Sequence, residues 1–500
     1  MAIESLLRRK PKIVPPLEPG FRPVSLGDRC FEQAAIESGS GFRVGIGYER
    51  ENSLVARDNT WILPANHPNA WENAEYLIDV INAGVVHNGC HTLWLSLPDD
   101  LAEIIQKEFS SSGPKKWVVD DLSGTSYDQS FEIKRVGFTD IPPKNEATAA
   151  LGGGMKGYRI GFDLGASDFK VTAFIDGECI YQSITRWEPS GFTDPSQHYG
   201  CLASELDNAA AKLGGKVDSI GGSSAGVWVN NRLKIGSIAK GVVAGLSGSE
   251  KKAAMARFNE CLVDNIAKRY KVTPVIINDG NVTALAGHYA LPDAKGVIGI
   301  ALGSDEAGGA AHPGGIMDTK LYEWAFWRVD RALDAPIYPW TKEMPIGQGL
   351  GGMYFSQKAY DRLYPRAGIS HDEVGGEGAP IAEKLKALQS LVEANDSRAI
   401  LIPETIGVEL GYSMIPYVKA CGDVSHVMVL GRCMKGRAGN IIREQAENVL
   451  KAEFGASYNF QVVNPESDSF VRIVGPQKAK EFTELGQAGA AAFMPQIDYK

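Results

Sequence analysis

The sequence is poor in paired cysteines, in long apolar runs and in positive charge. Its 500 residues include 7 cysteines, and no two of them have the CxxC spacing of a redox or metal motif. We therefore expect free thiols in a reducing compartment and no disulfide framework. No apolar run approaches the roughly 18 residues of a membrane helix, and the N-terminal segment has no signal-peptide core. These absences predict a cytoplasmic protein.

Positive charge is in the minority, with 51 Lys and Arg against 60 Asp and Glu and a formal net charge of -9. This balance argues against nucleic acid or an anionic membrane as the main partner. The hydrophobic fraction of 44% and the charged fraction of 22% are ordinary for a globular protein. A chain of 500 residues is too long for one compact core, so we expect about three domains.

Residues 1–150 are predicted to form an N-terminal α/β module. Strands and amphipathic helices are indicated by the apolar spacing of the runs 42–49, 53–63, 69–85, 91–97 and 99–109. The small residues and three consecutive glycines of 145–157 predict a linker after the module.

Residues 151–290 and 291–500 are each expected to form one lobe of a duplicated α/β fold. Both regions open with an apolar strand that enters a glycine-containing turn, at 158–165 and at 296–303. Asp176-Gly177, between two strand-like runs, is typical of a β-hairpin turn. Two halves of the same plan predict a cleft between them.

The first candidate site is the strand and turn of Ile160–Val171. An apolar strand delivers Asp163 to its end, and Gly165 permits a sharp turn there. Ser167 and the free N–H groups of the turn can hold phosphate oxygens, and Lys170 can neutralise phosphate charge. Asp163 would face a nucleotide-bound Mg²⁺ through water. The alternative is an ordinary β-turn without a ligand.

The second candidate site is Pro274–Gly287, where an apolar strand ends in Asn278 and Asp279 and a helix begins. A carboxylate at a strand end, beside a helix N-terminus, is well placed to accept a proton from a substrate hydroxyl. We expect Asp279 to have this role. The alternative is that Asp279 merely caps the helix.

Two further glycine turns complete the set. Gly303 and Ser304 follow the strand that opens the last region, as in a phosphate-binding turn. Gly431 ends a later strand and is followed by Arg432, at a place where a glycine permits close approach of an adenosine. The alternatives are a loop without a ligand and an ordinary strand–loop–helix junction.

Taken in order, these motifs resemble those of the actin/hexokinase-type ATPase superfamily. They resemble more closely the ROK group (repressors, open reading frames, kinases) of bacterial sugar kinases. The resemblance runs from residue 158 to residue 500. It rests on the segments DLGASDFKV (163–171), SSAG (223–226), INDGNVTALAG (277–287), LGS (302–304), VLG (429–431) and GAAAF (489–493).

The resemblance implies a two-lobed, ribonuclease H-like fold that closes over ATP with Mg²⁺ and a sugar, with Asp279 as the catalytic base. It implies sugar contacts from Ser224, Gly226, Asn278 and Glu323. It implies that the nucleotide and its metal are held by Asp163, Gly165, Ser167, Lys170, Gly303, Ser304, Gly431 and Arg432.

The sequence departs from the family pattern at several of these points. Asp305 and Glu306 add two acids to the second phosphate turn, where they would repel ATP unless Mg²⁺ or a lysine intervenes. Arg432 replaces a glycine of the adenosine turn and would either clash with adenine or stack on it. Phe326 stands where the family has a histidine, and no cysteine-rich loop follows, so we predict no structural zinc. Glu323 is then either a sugar contact or a glutamate on a helix surface.

Two functions remain open at this point. The first is an ATP-dependent phosphotransferase acting on a hexose or a related sugar or polyol. The second is a catalytically silent sugar or nucleotide sensor on the same fold. DNA binding is not expected, because residues 1–150 carry 15 Lys and Arg against 21 Asp and Glu and show no helix–turn–helix pattern. The module is expected to cover the cleft, hold a homodimer or bind a partner.

Overall fold

The structure is a computed structural model that describes residues 4–146, 148–149, 153–339, 345–455, 458–474 and 476–495. The N-terminal module comprises α1 (Val24–Glu37), β1 (Phe42–Glu49), β2 (Val55–Ile62), α2 (Asn73–Asn88), β3 (Thr92–Ser96), α3 (Asp99–Glu108), α4 (Thr125–Tyr127) and β4 (Glu132–Arg135). Part of the predicted linker, residues 147 and 150–152, lies outside the described residues. Its remainder includes the short strand β5 (Thr148–Ala149).

The module is built on a mixed sheet with the strand order β2-β1-β3-β4. The predicted strand 42–49 is confirmed as β1, and β2, α2, β3 and α3 overlap the other predicted runs. Helix α1 was not predicted. Its first turn contains Gly27, where a Cβ would lie 2.1 Å from the carbonyl oxygen of Leu7. Close packing thus requires a glycine that weakens the local helix signal.

The first lobe carries a sheet of five strands in the order β8-β7-β6-β9-β12. Its elements are β6 (Tyr158–Leu164), β7 (Asp168–Ile175), β8 (Glu178–Arg186), α5 (Pro195–Lys212), β9 (Ser219–Ser224), β10 (Val227–Val229), β11 (Arg232–Ile235), α6 (Gly248–Asn259), α7 (Asn265–Tyr270), β12 (Val275–Asn278) and α8 (Asp279–Ala290). The φ angles of Asp176 and Gly177 are 50° and 88°, which confirms the predicted hairpin turn.

The second lobe carries a sheet in the order β14-β13-β18-β19. Its elements are β13 (Val297–Leu302), β14 (Glu306–Ala311), β15 (Met317–Asp318), β16 (Ile337–Pro339), β17 (Pro345–Gln348), α9 (Gln357–Leu363), α10 (Ile381–Glu393), α11 (Ser397–Cys421), β18 (His426–Leu430), α12 (Gly436–Val449), β19 (Gln461–Val463), α13 (Asp468–Val474) and α14 (Pro476–Ala492). Within the described ranges, no helix is long and apolar enough to cross a membrane.

The two sheets share one connection pattern. Each begins with an antiparallel hairpin, β6–β7 or β13–β14. Each then continues, beside the first strand of that hairpin, into two parallel strands, β9 and β12 or β18 and β19. The duplicated, two-lobed α/β fold expected from the sequence is therefore confirmed, with the N-terminal module as an addition to it.

Helices α8 and α14 lie at the seam between the lobes. α8 leaves the first sheet but packs on the second, where a Cβ on Gly280 would lie 2.2 Å from the carbonyl oxygen of Gly308. α14 is the last helix among the described residues but packs on the first sheet, where a Cβ on Gly221 would lie 1.7 Å from the carbonyl oxygen of Ala491. The last part of the region 291–500 thus returns to the first lobe, because glycines in that sheet admit a helix backbone at close range.

The residues before α1 tie the module to the second lobe. Leu7 is buried in the core of the module, whereas Phe21 is buried in the core of the second lobe. Between them, the backbone N–H of Lys12 donates to the Glu453 carboxylate at 2.6 Å. The N-terminal lead is therefore packed against two parts of the protein.

Candidate active site

Asp163 stands at the end of β6 and is held from both neighbouring strands. Its register partners are Ser223 on β9 and Lys170 on β7. The Ser223 hydroxyl donates to Asp163 Oδ1 at 2.7 Å, and Lys170 Nζ donates to Oδ2 at 3.3 Å. The carboxylate is only 6% exposed. A carboxylate with two donors still has lone pairs for further ligands.

The turn between β6 and β7 is closed by hydrogen bonds. The backbone N–H of Gly165 donates to the carbonyl of Asp168 at 3.0 Å, and the backbone N–H of Trp187 donates to the carbonyl of Ser167 at 3.2 Å. The Trp187 indole N–H also donates to the carbonyl of Gly165 at 2.8 Å. The predicted phosphate turn is thus fixed by a tryptophan that no sequence motif had indicated.

Asn278 holds the start of α8. Its Oδ1 accepts from the backbone N–H of Gly280 at 2.8 Å, so Asn278 is the helix cap. Its Nδ2 donates to the carbonyl of Gly226 at 2.9 Å. Asn278 was predicted to contact the sugar, but both polar atoms of its side chain are hydrogen-bonded within the protein. They join the end of β12 to the turn after β9.

Asp279 is the first residue of α8 and follows the capping asparagine. Burial, and then the charge of Asp163, raise the pKa of Asp279 to about 6. Asn278 supplies the cap, and Asp279 Oδ1 accepts a longer hydrogen bond, at 3.1 Å, from the same N–H of Gly280. A carboxyl group with a pKa in this range is matched to proton transfer near neutral pH.

Glu323 lies close enough to Asp279 and Asp305 to be affected by their charges, and it does not lie on a helix surface. It precedes the short 3₁₀ turn Trp324–Phe326. Burial, and then the charges of Asp279 and Asp305, raise the pKa of Glu323 to about 8. Charges from the first lobe (Asp279) and from the second phosphate turn (Asp305) thus both act on Glu323, and together with burial they favour its protonated form at pH 7.

The N-terminal module forms the support behind Glu323. The backbone N–H of Glu323 donates to the carbonyl of Val86 at 2.9 Å, in the last turn of α2. The next residue, Trp324, is fully buried and donates its indole N–H to His87 Nδ1 at 3.1 Å. Burial lowers the pKa of His87 to about 3, so its imidazole is a neutral acceptor. Sequence motifs had not indicated His87, because its partner is 237 positions away.

The second phosphate turn contains two acids, Asp305 and Glu306, whose negative charges are neutralised within the protein. Lys358 Nζ donates to Asp305 Oδ2 at 2.6 Å, and the Tyr338 hydroxyl donates to the same oxygen. Burial raises the pKa of Glu306 well above its usual range, so this carboxyl is neutral. The lysine that the sequence required here is therefore present, at the start of α9. It was missed because it follows the turn by about fifty positions in an otherwise featureless segment.

Gly431 and Arg432 connect the second lobe to both phosphate turns. Gly431 has φ 105°, and a Cβ there would lie 2.5 Å from the carbonyl oxygen of Leu302, so only glycine fits. Arg432 Nη2 donates to Ser167 Oγ at 2.5 Å and lies 3.4 Å from Asp168 Oδ2. The guanidinium is thus directed across the cleft to the first phosphate turn.

The remaining predicted residues have simpler places. Ser224 is fully buried, and its hydroxyl donates to the carbonyl of Ala225 at 3.3 Å. Gly226 has φ 115°, and a Cβ there would lie 2.3 Å from the carbonyl oxygen of Ile235. Gly303 donates its N–H to the carbonyl of Asp305 at 3.0 Å, and Ser304 is exposed at the tip of that turn.

The donor set fits a magnesium nucleotide better than a transition metal. Asp163 offers carboxylate oxygens, which Mg²⁺ prefers, and Lys170, Lys358 and Arg432 offer cations for phosphate oxygens. Among the residues that the structure describes, no group of three or more His, Cys, Asp or Glu is placed to hold a metal ion. The absence of a structural zinc stays a prediction.

No protein-family model matches the chain, and no curated protein matches it. Solved structures do match. The ROK hexokinase from Thermus thermophilus is 16% identical, with a TM-score of 0.47 over 68% of this chain and 98% of that one. A ROK family glucokinase from Streptomyces griseus, solved with glucose and AMPPNP, is 18% identical, with a TM-score of 0.48 over 67% of this chain and 98% of that one.

In fold, the chain is similar to ROK proteins. The same likeness extends to a ROK family transcriptional regulator described as a homologue of the E. coli MLC protein. It is 14% identical, with a TM-score of 0.47 over 67% of this chain and 80% of that one. Similarity at this level concerns the fold alone, and kinases and a regulator share it. Function has to be argued from the site.

Proposed function

We propose that the protein is an ATP-dependent phosphotransferase that acts on a hydroxyl group of a hexose or a related sugar. The observation that carries this proposal is Asp279, a carboxyl directly after a strand end. Burial and the charge of Asp163 raise its pKa to about 6, and its own charge acts on Glu323. A base of this strength is mostly ionised at pH 7 and still takes a proton readily as a hydroxyl becomes a nucleophile.

On the acceptor side of the reaction, the two acids with raised pKa values act in opposite protonation states. Asp279 is ionised at pH 7 and accepts the hydroxyl proton. Glu323 is protonated at pH 7 and donates a hydrogen bond to a sugar oxygen, which orients the ring. The main chain of Glu323 is fixed on α2, so the N-terminal module contributes to the alignment.

The donor side uses the two glycine turns. ATP with Mg²⁺ supplies the phosphoryl group when bound, and Asp163 is the carboxylate expected to hold the metal through water. Lys170 and Lys358 bring positive charge to the first and second turns. Because Asp305 is paired and Glu306 is neutral, the second turn does not oppose the negative charge of the nucleotide.

The experiment is a coupled assay of ADP release with a panel of hexoses, on the wild-type protein and on Asp279→Asn. We expect turnover with at least one sugar and a loss of about 10²- to 10⁴-fold in the variant, with sugar binding by titration retained. Asp293→Asn, in the exposed loop after α8, is the matched control and should keep full turnover. Equal turnover in wild type and Asp279→Asn would refute the proposed base.

A catalytically silent sensor is the second candidate, and two observations favour it. Arg432 stands in the turn where a glycine would give an adenosine room, and Lys170 is already paired with Asp163. The sensor predicts that titration detects sugar binding but no binding of AMPPNP with Mg²⁺. The phosphotransferase predicts binding of both.

A further inference from the structure

Arg432 reaches from the second lobe to the turn of the first lobe that is expected to hold phosphate. It follows Gly431 directly, and the close contact of Gly431 with Leu302 fixes where the arginine leaves the main chain. Its carbonyl accepts a hydrogen bond from Gln389 Nε2 at 2.7 Å. The backbone is thus anchored on the second lobe, and the side chain spans the cleft.

The Arg432 guanidinium contacts Ser167 and Asp168, and a phosphate group of the nucleotide would take the place of these two partners. Arg432 Nη2 donates to Ser167 Oγ at 2.5 Å and faces Asp168 Oδ2 at 3.4 Å. The side chains of Arg432 and Asp168 are 50% and 30% exposed. A solvated ion pair of this kind contributes little stability, so it does not hold the lobes together and its cation can change partner.

The two lysines of the cleft have the same arrangement. Lys170 is paired with Asp163, and Lys358 is paired with Asp305. Lys170, Lys358 and Arg432 are therefore each beside a carboxylate of the protein. A guanidinium differs from these lysines because it is planar and can donate two parallel hydrogen bonds to one phosphate group.

We propose that Arg432 is a ligand of the phosphate groups of the donor nucleotide, and that Asp168 keeps its guanidinium at the first phosphate turn until the nucleotide binds. This inference rests on the proposed function. The sequence left two possibilities for Arg432, a clash with adenine or stacking on it. The inference adds a third. The arginine takes part in donor binding through the phosphates and not through the base.

The test is titration of the full-length protein with AMPPNP–Mg²⁺ and, separately, with adenosine. Arg432→Ala should weaken AMPPNP binding about 10- to 100-fold, as expected for the loss of charge-assisted hydrogen bonds. Adenosine binding should stay unchanged, and Arg432→Lys should recover part of the loss. Arg437→Ala is the control, because Arg437 lies one turn further along the chain and contacts Val392 and Asn395 on its own lobe.

The outcomes distinguish this inference from the proposed function. An equal loss of AMPPNP and adenosine affinity in Arg432→Ala would show stacking on adenine and overturn the inference. Unchanged AMPPNP affinity would overturn it as well, while the phosphotransferase would stand. A wild-type protein that binds no AMPPNP refutes the donor site itself, and with it both proposals. Asp168→Asn should tighten AMPPNP binding severalfold, since it removes the competing carboxylate.

Discussion

Asp279→Asn should stabilise the folded protein at neutral pH although it lowers turnover. The pKa of Asp279 is raised from 3.8 to about 6, chiefly by burial and then by Asp163. The folded protein therefore binds this proton more tightly than the unfolded chain does. The contribution of Asp279 to stability is therefore most favourable below pH 4, decreases as the pH rises from about 4 to 6, and stays reduced above pH 6.

The size of the effect follows from the pKa difference. A rise from 3.8 to about 6 corresponds to a destabilisation of about 3 kcal/mol at pH 7.5. At pH 4 the wild-type carboxyl is protonated in the folded state, and the difference falls well below ~1 kcal/mol. An asparagine cannot ionise, so the variant should recover about 3 kcal/mol at pH 7.5 and almost nothing at pH 4.

The assay is the thermal midpoint of the ligand-free protein between pH 4 and pH 8. A gain of ~3 kcal/mol corresponds to about 6–12 °C for a cooperative unit of 150–250 residues. Asp293→Asn, at an exposed position after the same helix, is the control. A gain in Asp279→Asn that is as large at pH 4 as at pH 7.5, or a loss at pH 7.5, would refute the reasoning.

The remaining outcomes concern the residues around Asp279, Glu323 and Asp305. The sugar kcat/KM should rise with pH as Asp279 loses its proton near pH 6 and fall as Glu323 loses its proton near pH 8. Glu323→Gln should keep the rising limb and abolish the falling one. Lys358→Met should raise the KM for ATP about tenfold, because the Asp305 charge is left unpaired, with sugar affinity unchanged. His87→Phe should lower the sugar kcat/KM with little change in the KM for ATP, because the buried tryptophan after Glu323 loses its acceptor.

Each of these outcomes has a contrary result. If Glu323→Gln displaced the rising limb of the pH profile, Glu323 would have to ionise near pH 6. Lys386→Met, on the exposed face of α10, is the control for Lys358→Met, and an equal effect of both variants would exclude a local charge effect. Equal losses for sugar and ATP in His87→Phe would show a general structural role for His87 and no selective support of Glu323.

Local patterns were sufficient for the elements of the site. The strand ends at Asp163 and Gly303, the hairpin at Asp176 and the helix after Asn278 were all predictable. Each depends on apolar runs, glycine and capping residues within about ten positions of one another. The prediction was weaker where a residue had two local uses, as for Asn278 and Asp279, because capping and catalysis call for the same side chains.

The pairings between distant segments could not be predicted in this way. His87 supports Trp324 across 237 positions, and Arg432 reaches Ser167 across 265. The second lobe was expected to run to the end of the chain, yet α14 packs on the first sheet. Such contacts depend on the shapes of two packed surfaces, which no window of sequence contains.

The amino-acid sequence alone determined the duplicated α/β plan and the position of Asp279 at a strand end, because periodicity and turn chemistry act between neighbours. Only the tertiary structure decided the protonation states of Asp279 and Glu323 and the neutralisation of Asp305 by Lys358. Those properties arise from burial and from charges that folding brings within a few ångströms, and both exist only after the chain has packed.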